Sequence, residues 1–401
     1  MRSLKFLFIL YILSLPFTSA FAISAVGSLP IMFSLFLLLI YMTGVLLHRF
    51  ELYTKNTFFL FSWFITTLLS FLINDVGEKS VNHLFLYSVA VFCLYWAVRN
   101  TMLTILEADT SFWNVLLHYL SIIVFISSLY GIVEFIFVNF LGVNINNYIS
   151  HALIDYEPMA LGFIRSRSFI EESGHFAFFL EALAPLAIYS ILNTKKSILV
   201  KIIYVLSVIL SLICTFSSLG FLSLVVGIFI FMYYYFTFFS RRILPRYRIL
   251  VTSCIVLGIG FFIFISFDLF NNIINAKLFG SASYGYRFER VSHALSQLYG
   301  DSWLFGFGPA SYDTLRIDSY ISVFVNILMD SGIFGFAFFI LFLLKQFTYL
   351  FKIKNKEIKV AFLISLSTTT LHYYYIGNYY YPWYWLLLAL IYVYSINENK
   401  V

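Results

Sequence analysis

The sequence predicts an all-α, polytopic membrane protein with about twelve transmembrane helices and both termini on the inner side. Apolar residues make up 61% of the chain, whereas a soluble domain is roughly half apolar. The mean hydropathy is +0.91. Charged residues are only 11% of the chain, and the basic ones collect in short connections between apolar runs, as they do in cytoplasmic loops.

Apolar runs of the length that crosses about 30 Å of hydrocarbon recur along the whole chain. The sequence therefore predicts one polytopic membrane domain over residues 1–401, and nothing in its composition indicates a nucleic-acid partner. The predicted spans lie at about 4–22, 30–47, 56–73, 82–98, 115–138, 174–193, 200–216, 219–239, 249–267, 332–350, 360–375 and 379–396.

The distribution of basic residues sets the predicted orientation. With the N-terminus inside, 18 of the 25 Lys and Arg residues fall on the inner side, which predicts that both termini are inside. The first run also resembles a signal peptide, because Arg2 and Lys5 precede it and Ala20-Phe-Ala22 ends it. We favour a retained helix, since cleavage would leave eleven spans and an exterior N-terminus.

Two long connections are predicted on the outer side: a first loop at about 139–173 and a second loop at about 268–331. Both contain glycines, aromatic residues and paired charges, which predicts folded loops. They hold six of the seven outer basic residues. Because basic residues are disfavoured on that side, their presence indicates an anionic ligand.

The first loop ends in a charged cluster at the start of a predicted span. Arg165 and Arg167 alternate in an extended run and are expected to share one face. Glu172 and His175 are three residues apart, which makes them neighbours at a helix start. One interpretation is an arginine pair that binds a diphosphate and a Glu/His pair that provides a general base and its partner. The other is an interfacial cap, with arginines on lipid phosphates and glutamates at the positive helix end.

The second loop contains a further arginine pair, Arg287 and Arg290. These residues are candidates for binding the same diphosphate. Alternatively, they form a salt-bridged amphipathic helix with Glu289 that runs through His293.

Farther along the second loop, Leu304–Pro309 is a glycine-rich turn. It lacks the lysine and following helix of a phosphate-binding loop, so we expect it to be structural. The aspartates and the three cysteines show no metal-ligand spacing. We therefore expect no metal site, no cofactor and no disulfide framework.

Two carboxylates fall within predicted spans, Glu134 and Glu181. Intramembrane carboxylates usually face a watery cavity or the bundle interior. Glu181 would lie roughly 10 Å below Gly174 at 1.5 Å per residue, where it could line a pocket beneath the charged cluster. The alternative is that both carboxyls are neutral and hydrogen-bonded to each other.

An aromatic run, Tyr373–Tyr381 with Trp383 and Trp385, precedes and enters the last predicted span. It is typical of the aromatic belt at a membrane interface. Stacking against sugar rings is a second interpretation.

Three local motifs resemble the bacterial O-antigen polymerase/O-antigen ligase superfamily of membrane glycosyltransferases. The run Phe169–Ala177 is similar to the polymerase pattern F-x-x-E-P-S-H-F-A, with Ser173 and Gly174 in place of Pro and Ser. Gly285-Tyr-Arg287 resembles the Gly-x-Arg at which the family places a diphosphate-binding arginine. Asp330–Gly335 resembles the acidic-x-Gly-x-x-Gly start of the tenth span.

Two positions depart from the ligase pattern. Ligases carry a His-Asn pair about eleven residues before that first glycine, where this chain has Ile321 and Ser322. They also tend to carry an arginine between spans seven and eight, where this chain has Ser217-Ser218. The resemblance therefore implies a polymerase and places the chemistry on His175 and Glu172.

A polymerase of this family would join oligosaccharide repeat units carried on undecaprenyl diphosphate, at the periplasmic face of the bacterial inner membrane. The resemblance implies a metal-independent reaction and leaves room for a chain-length regulator as a partner protein. Two alternatives are a ligase that transfers glycan to lipid A–core and a flippase for the lipid-linked oligosaccharide. A flippase would need charges along several spans, whereas here the charges cluster on one face.

Overall fold

Helices form nearly all of the regular structure in the described residues of the chain. The computed structural model describes residues 1–22, 27–55, 57–74, 77–151, 159–160, 162–234, 282–317 and 320–398. Within these residues, two short strands, β1 (Met159–Ala160) and β2 (Phe163–Ile164), pair antiparallel. A single 3₁₀ turn at Ile145–Tyr148 lies in the first loop.

The first eight helices in the described part precede residue 235. They are α1 (Arg2–Ser14), α2 (Leu29–Leu46), α3 (Phe58–Ile73), α4 (Glu78–Ala108), α5 (Phe112–Phe140), α6 (Ser173–Leu192), α7 (Ile198–Cys214) and α8 (Ser218–Tyr234). Within α4 the segment Val89–Ala97 is π-helical.

Six more helices follow residue 281. They are α9 (Ala282–Ser296), α10 (Asp301–Phe305), α11 (Ser311–Thr314), α12 (Val323–Lys352), α13 (Lys356–His372) and α14 (Pro382–Asn397). The predicted ninth span, 249–267, lies outside the described residues.

Five of the described helices are long and apolar enough to cross a membrane. They are α2, α4, α5, α6 and α12, and shorter apolar helices include α3, α7 and α8. Large apolar side chains on their outer faces are exposed, for example Leu46, Leu72 and Ile198. Such faces fit hydrocarbon better than water, and the chain is accordingly an all-helical membrane protein.

Several helix ends differ from the predicted span limits for identifiable reasons. Helix α1 ends at Ser14 rather than near residue 22, because Pro16 has no backbone N–H with which to continue the helical hydrogen bonds. Helix α14 begins at Pro382, which occupies the first helical position. Helix α12 begins nine residues before Gly332, whose backbone is non-helical at φ 64° and kinks the helix.

Helix α14 lies at the centre of the bundle. Every residue from Pro382 to Tyr394 is buried, and the helix packs against α4, α6, α12 and α13. A helix that is apolar all round has no face for water and is expected to be buried in this way.

The burial of the aromatic run contradicts an interfacial belt. Tyr373, Tyr379, Tyr381, Trp383 and Trp385 are each at most 2% exposed. They lie inside because the run leads into the central helix. Of the run, Tyr374 and Tyr375 are the residues that are exposed.

The glycine turn of the second loop packs against the kink in α12. The amides of Phe307 and Gly308 donate to the carbonyls of Met329 and Asp330, at 2.8 and 3.1 Å. A Cβ on Gly332 would lie 2.2 Å from the carbonyl oxygen of Leu304, so only glycine allows this backbone approach. The turn is therefore structural, as its sequence predicts.

Asp330 anchors the same region from within the bundle. Its carboxylate is fully buried and accepts hydrogen bonds from Tyr87 (2.8 Å) and from the hydroxyl and amide of Ser311 (2.7 and 3.1 Å). The hydroxyl of Ser70 donates to its main-chain carbonyl at 2.7 Å. These bonds fix the second loop to α3, α4 and α12.

Candidate functional site

The last part of the first loop folds around the carboxylate of Glu134. This side chain, near the end of α5, is 3% exposed. Its Oε2 accepts from the Ser166 hydroxyl (2.8 Å) and from the amides of Arg167 (3.1 Å) and Ser168 (2.7 Å), and its Oε1 accepts from Asn146 (2.6 Å). Glu134 therefore shapes the loop instead of lining an open cavity.

The two arginines of this loop lie close in sequence but are held by different carbonyl groups. Arg165 is half-buried, and its Nε donates to the carbonyl of Thr215 at the end of α7 (2.8 Å). Arg167 is 3% exposed, and one Nη1 bond reaches the carbonyl of Glu171 (3.3 Å). Both cations thus lie directly before the N-terminus of α6, which itself favours anions.

His175 lies in the first turn of α6 and contacts the start of the central helix. The hydroxyl oxygen of Tyr381 lies 2.8 Å from Nδ1 and 2.9 Å from Nε2 of its imidazole. The His175 side chain is 11% exposed, so it is reachable from outside the bundle while most of the ring is shielded.

The carboxylate nearest to His175 belongs to Glu171 and not to Glu172. Oε2 of Glu171 is 3.8 Å from Nδ1 of His175, across an i,i+4 spacing. Glu172 is the N-cap residue with extended backbone (φ −138°, ψ 155°), and it is exposed. The predicted Glu172/His175 neighbour pair is therefore replaced by a Glu171/His175 pair.

Glu171 is suited to exchange a proton near neutral pH. Burial raises the pKa of its carboxyl to about 7, although a hydrogen bond from Thr18 and the charge of Arg167 act in the opposite direction. The hydroxyl of Thr18 donates to Oε2 at 3.0 Å. A group with a pKa near the working pH is the kind that general acid–base catalysis uses.

Glu181 lies deeper in α6 and is paired with a histidine that the sequence did not reveal. Its Oε2 is 2.8 Å from Nδ1 of His372 at the end of α13, and its Oε1 accepts from the Ser223 hydroxyl at 2.9 Å. Glu181 and Glu134 thus bind separate partners instead of each other. A carboxylate inside a membrane is usually paired with another polar group. The sequence alone could not identify His372 as the partner of Glu181.

Glu181 also lines a cavity of about 780 Å³ between α6, α7, α8 and α13. Its walls are largely apolar and include Leu180, Ile209 and Ile364. That Glu181 serves a pocket beneath the charged cluster stays a prediction.

Arg287 and Arg290 lie on α9, so this part of the second loop is helical, as one of its two interpretations predicts. Arg290 is half-buried on this helix, while the side chain of Arg287 lies outside the described part. Helix α9 packs against α12, so the pair belongs to the loop fixed by Asp330.

A second histidine at this end of the bundle was also missed. Nε2 of His83 lies 3.0 Å from the Tyr312 hydroxyl, and Tyr379 donates to the His83 carbonyl at 3.1 Å. Tyr379 contacts His83, and Tyr381, two residues later, contacts His175. Because His83 also contacts Tyr312 of the second loop, this short segment connects the second loop with His175. These contacts link residues more than two hundred positions apart, which no local pattern could predict.

No protein-family model matches this sequence, and no curated protein resembles it closely enough to count as a relative.

Proposed function

We propose that the chain is an O-antigen or related surface-glycan polymerase, a membrane glycosyltransferase at the periplasmic face of the bacterial inner membrane. It would join oligosaccharide repeat units carried on undecaprenyl diphosphate. The observation that supports this best is the arrangement at the start of α6. Arg165 and Arg167 lie directly before this helix, and Glu171 and His175 meet beside Tyr381.

The reaction would be a displacement at the anomeric carbon of the lipid-linked donor. A hydroxyl of the second repeat unit forms the new C–O bond, the bond to the diphosphate oxygen breaks, and undecaprenyl diphosphate leaves. Arg165 and Arg167, with Arg287 and Arg290 from the second loop, would bind the diphosphate and stabilise the charge that develops on it. His175 or Glu172 would accept the proton of the attacking hydroxyl.

The placement of charge supports chemistry at one end of the bundle over passage through it. The carboxylates inside the described bundle, Glu134, Glu181 and Asp330, accept hydrogen bonds from fixed partners of the fold. A flippase path would need polar groups free to bind substrate at several depths. Ligation to lipid A–core is the nearest alternative, and it is disfavoured because Ile321 and Ser322 stand where ligases carry His-Asn.

Surface-glycan profiles of a deletion strain distinguish these functions. We expect loss of a polymerase to leave core capped with a single repeat unit, and wild-type chain to restore the full ladder. A strain without any glycan on the core indicates a ligase, and lipid-linked oligosaccharide trapped inside indicates a flippase. Either result would contradict the proposal.

A further inference from the structure

The segment that follows α1 supplies a residue to the site. Thr18 is 3% exposed, and its hydroxyl donates to Oε2 of Glu171 at 3.0 Å. The same oxygen is 3.8 Å from Nδ1 of His175. One carboxylate oxygen therefore faces both the threonine hydroxyl and the imidazole.

The position of Thr18 is fixed by the first loop on both sides. The amide of Ala20 donates to the Phe169 carbonyl at 3.0 Å, and that of Phe21 donates to the Ser150 carbonyl at 2.8 Å. The ring of Phe17 packs on Phe169 with centroids 4.9 Å apart. Since the segment before α2 and the first loop are joined in this way, the backbone at Thr18 cannot move away from Glu171 without breaking several contacts.

We propose that Thr18 and Glu171 are positioning residues for His175, and this inference rests on the proposed function. Thr18 holds the Glu171 carboxylate in place. The carboxylate favours the proton on Nδ1 of His175. In that tautomer Nε2 is the acceptor, which the Tyr381 hydroxyl can reach at 2.9 Å, and it is Nε2 that accepts the proton of the attacking hydroxyl. The imidazolium that forms is stabilised by the carboxylate through charge, because 3.8 Å is an ion-pair distance.

Several ionisable or charged groups surround this carboxylate and enter its titration. The charge of Arg167 favours the carboxylate and that of Glu172 opposes it. Tyr380 and Tyr381, in the segment before α14, lie close enough to Glu171 to interact with its charge. The charge of His372 on α13 acts on His175. The pH dependence of the site therefore reflects all of these residues together. A substitution at Thr18 changes one contribution only, the hydrogen bond from Thr18 that lowers the pKa of Glu171.

Chemical labelling of the purified, full-length protein tests the inference without a glycan substrate. A carbodiimide with an amine nucleophile labels protonated carboxyl groups, and peptide mass spectrometry follows Glu171 as the pH is varied. Wild type should show a labelling midpoint near pH 7. Thr18→Val keeps the side-chain shape but removes the donor, so the midpoint should rise by about one unit. Thr18→Ser keeps the hydroxyl and should match wild type.

A second readout connects the same change to the reaction. In membrane vesicles supplied with lipid-linked repeat units from the deletion strain, the acid limb of glycan lengthening should move to higher pH in Thr18→Val by the same amount. An unchanged Glu171 midpoint in Thr18→Val would overturn the inference, whatever the vesicles do. Vesicles with wild-type chain that lengthen no glycan would instead overturn the proposed function.

Discussion

Replacing Glu134 with alanine should unfold the first loop while leaving the helical bundle intact. The substitution removes an acceptor of four hydrogen bonds, from Asn146, Ser166 and the amides of Arg167 and Ser168. A buried donor left without a partner costs about 1–3 kcal/mol. Even if only the two backbone amides stay unpaired, the loop loses about 2–6 kcal/mol of local stability.

Glu134→Gln is the matched control, because it keeps the shape of the side chain. Three of the four bonds reach Oε2 and one reaches Oε1. With the amide oxygen in the Oε2 position, only the bond from Asn146 is lost. The expected cost is therefore about 1–3 kcal/mol, well below that of alanine.

Hydrogen exchange read by mass spectrometry measures this difference locally. Since 1.4 kcal/mol is a factor of about ten, the amides of Arg167 and Ser168 should exchange at least about tenfold faster in Glu134→Ala than in wild type. The glutamine variant should lie between the two, and amides in α14 should be unaffected. Wild-type protection at Arg167 and Ser168 in the alanine variant would refute this account of the loop.

Two further substitutions test other parts of the fold, and both can be followed by thermal unfolding in detergent. Gly332→Ala should destabilise the protein strongly, because its Cβ would meet the Leu304 carbonyl at φ 64°, whereas Gly174→Ala meets nothing within 4 Å and should be near neutral. His372→Ala should cost about 1–3 kcal/mol by leaving Oε2 of the buried Glu181 carboxyl without its hydrogen-bond partner. Equal melting temperatures for the two glycine variants, or a wild-type value for His372→Ala, would contradict these assignments.

Composition and hydropathy were sufficient to predict a helical membrane protein. In a bilayer every backbone N–H and C=O group must find a partner within the protein, and an apolar helix satisfies all of its own. The count of twelve spans and the orientation stay predictions. The kink at Gly332 and the central position of α14 were not foreseen. Both depend on which helices pack together, and the sequence of a single apolar helix does not reveal its neighbours.

The charged cluster was predicted as a set, but its pairing was not. Spacing along the chain placed Glu172 beside His175, and it is the extended backbone at the N-cap that turns Glu172 outward and brings Glu171 inward. The contribution of Thr18 depends on the packing of the segment after α1 against the first loop. His372 and His83 were missed for the same reason, since each finds its partners through the tertiary fold.

The most direct test of the central claim is glycan lengthening by the purified protein in liposomes. The substrate is the undecaprenyl-diphosphate-linked repeat unit isolated from the deletion strain. We predict that wild type forms chains of several repeats and releases one undecaprenyl diphosphate for each bond, and that His175→Ala forms none. Substrate that stays at one repeat with wild type would contradict the account, and normal lengthening by His175→Ala would remove His175 from the reaction.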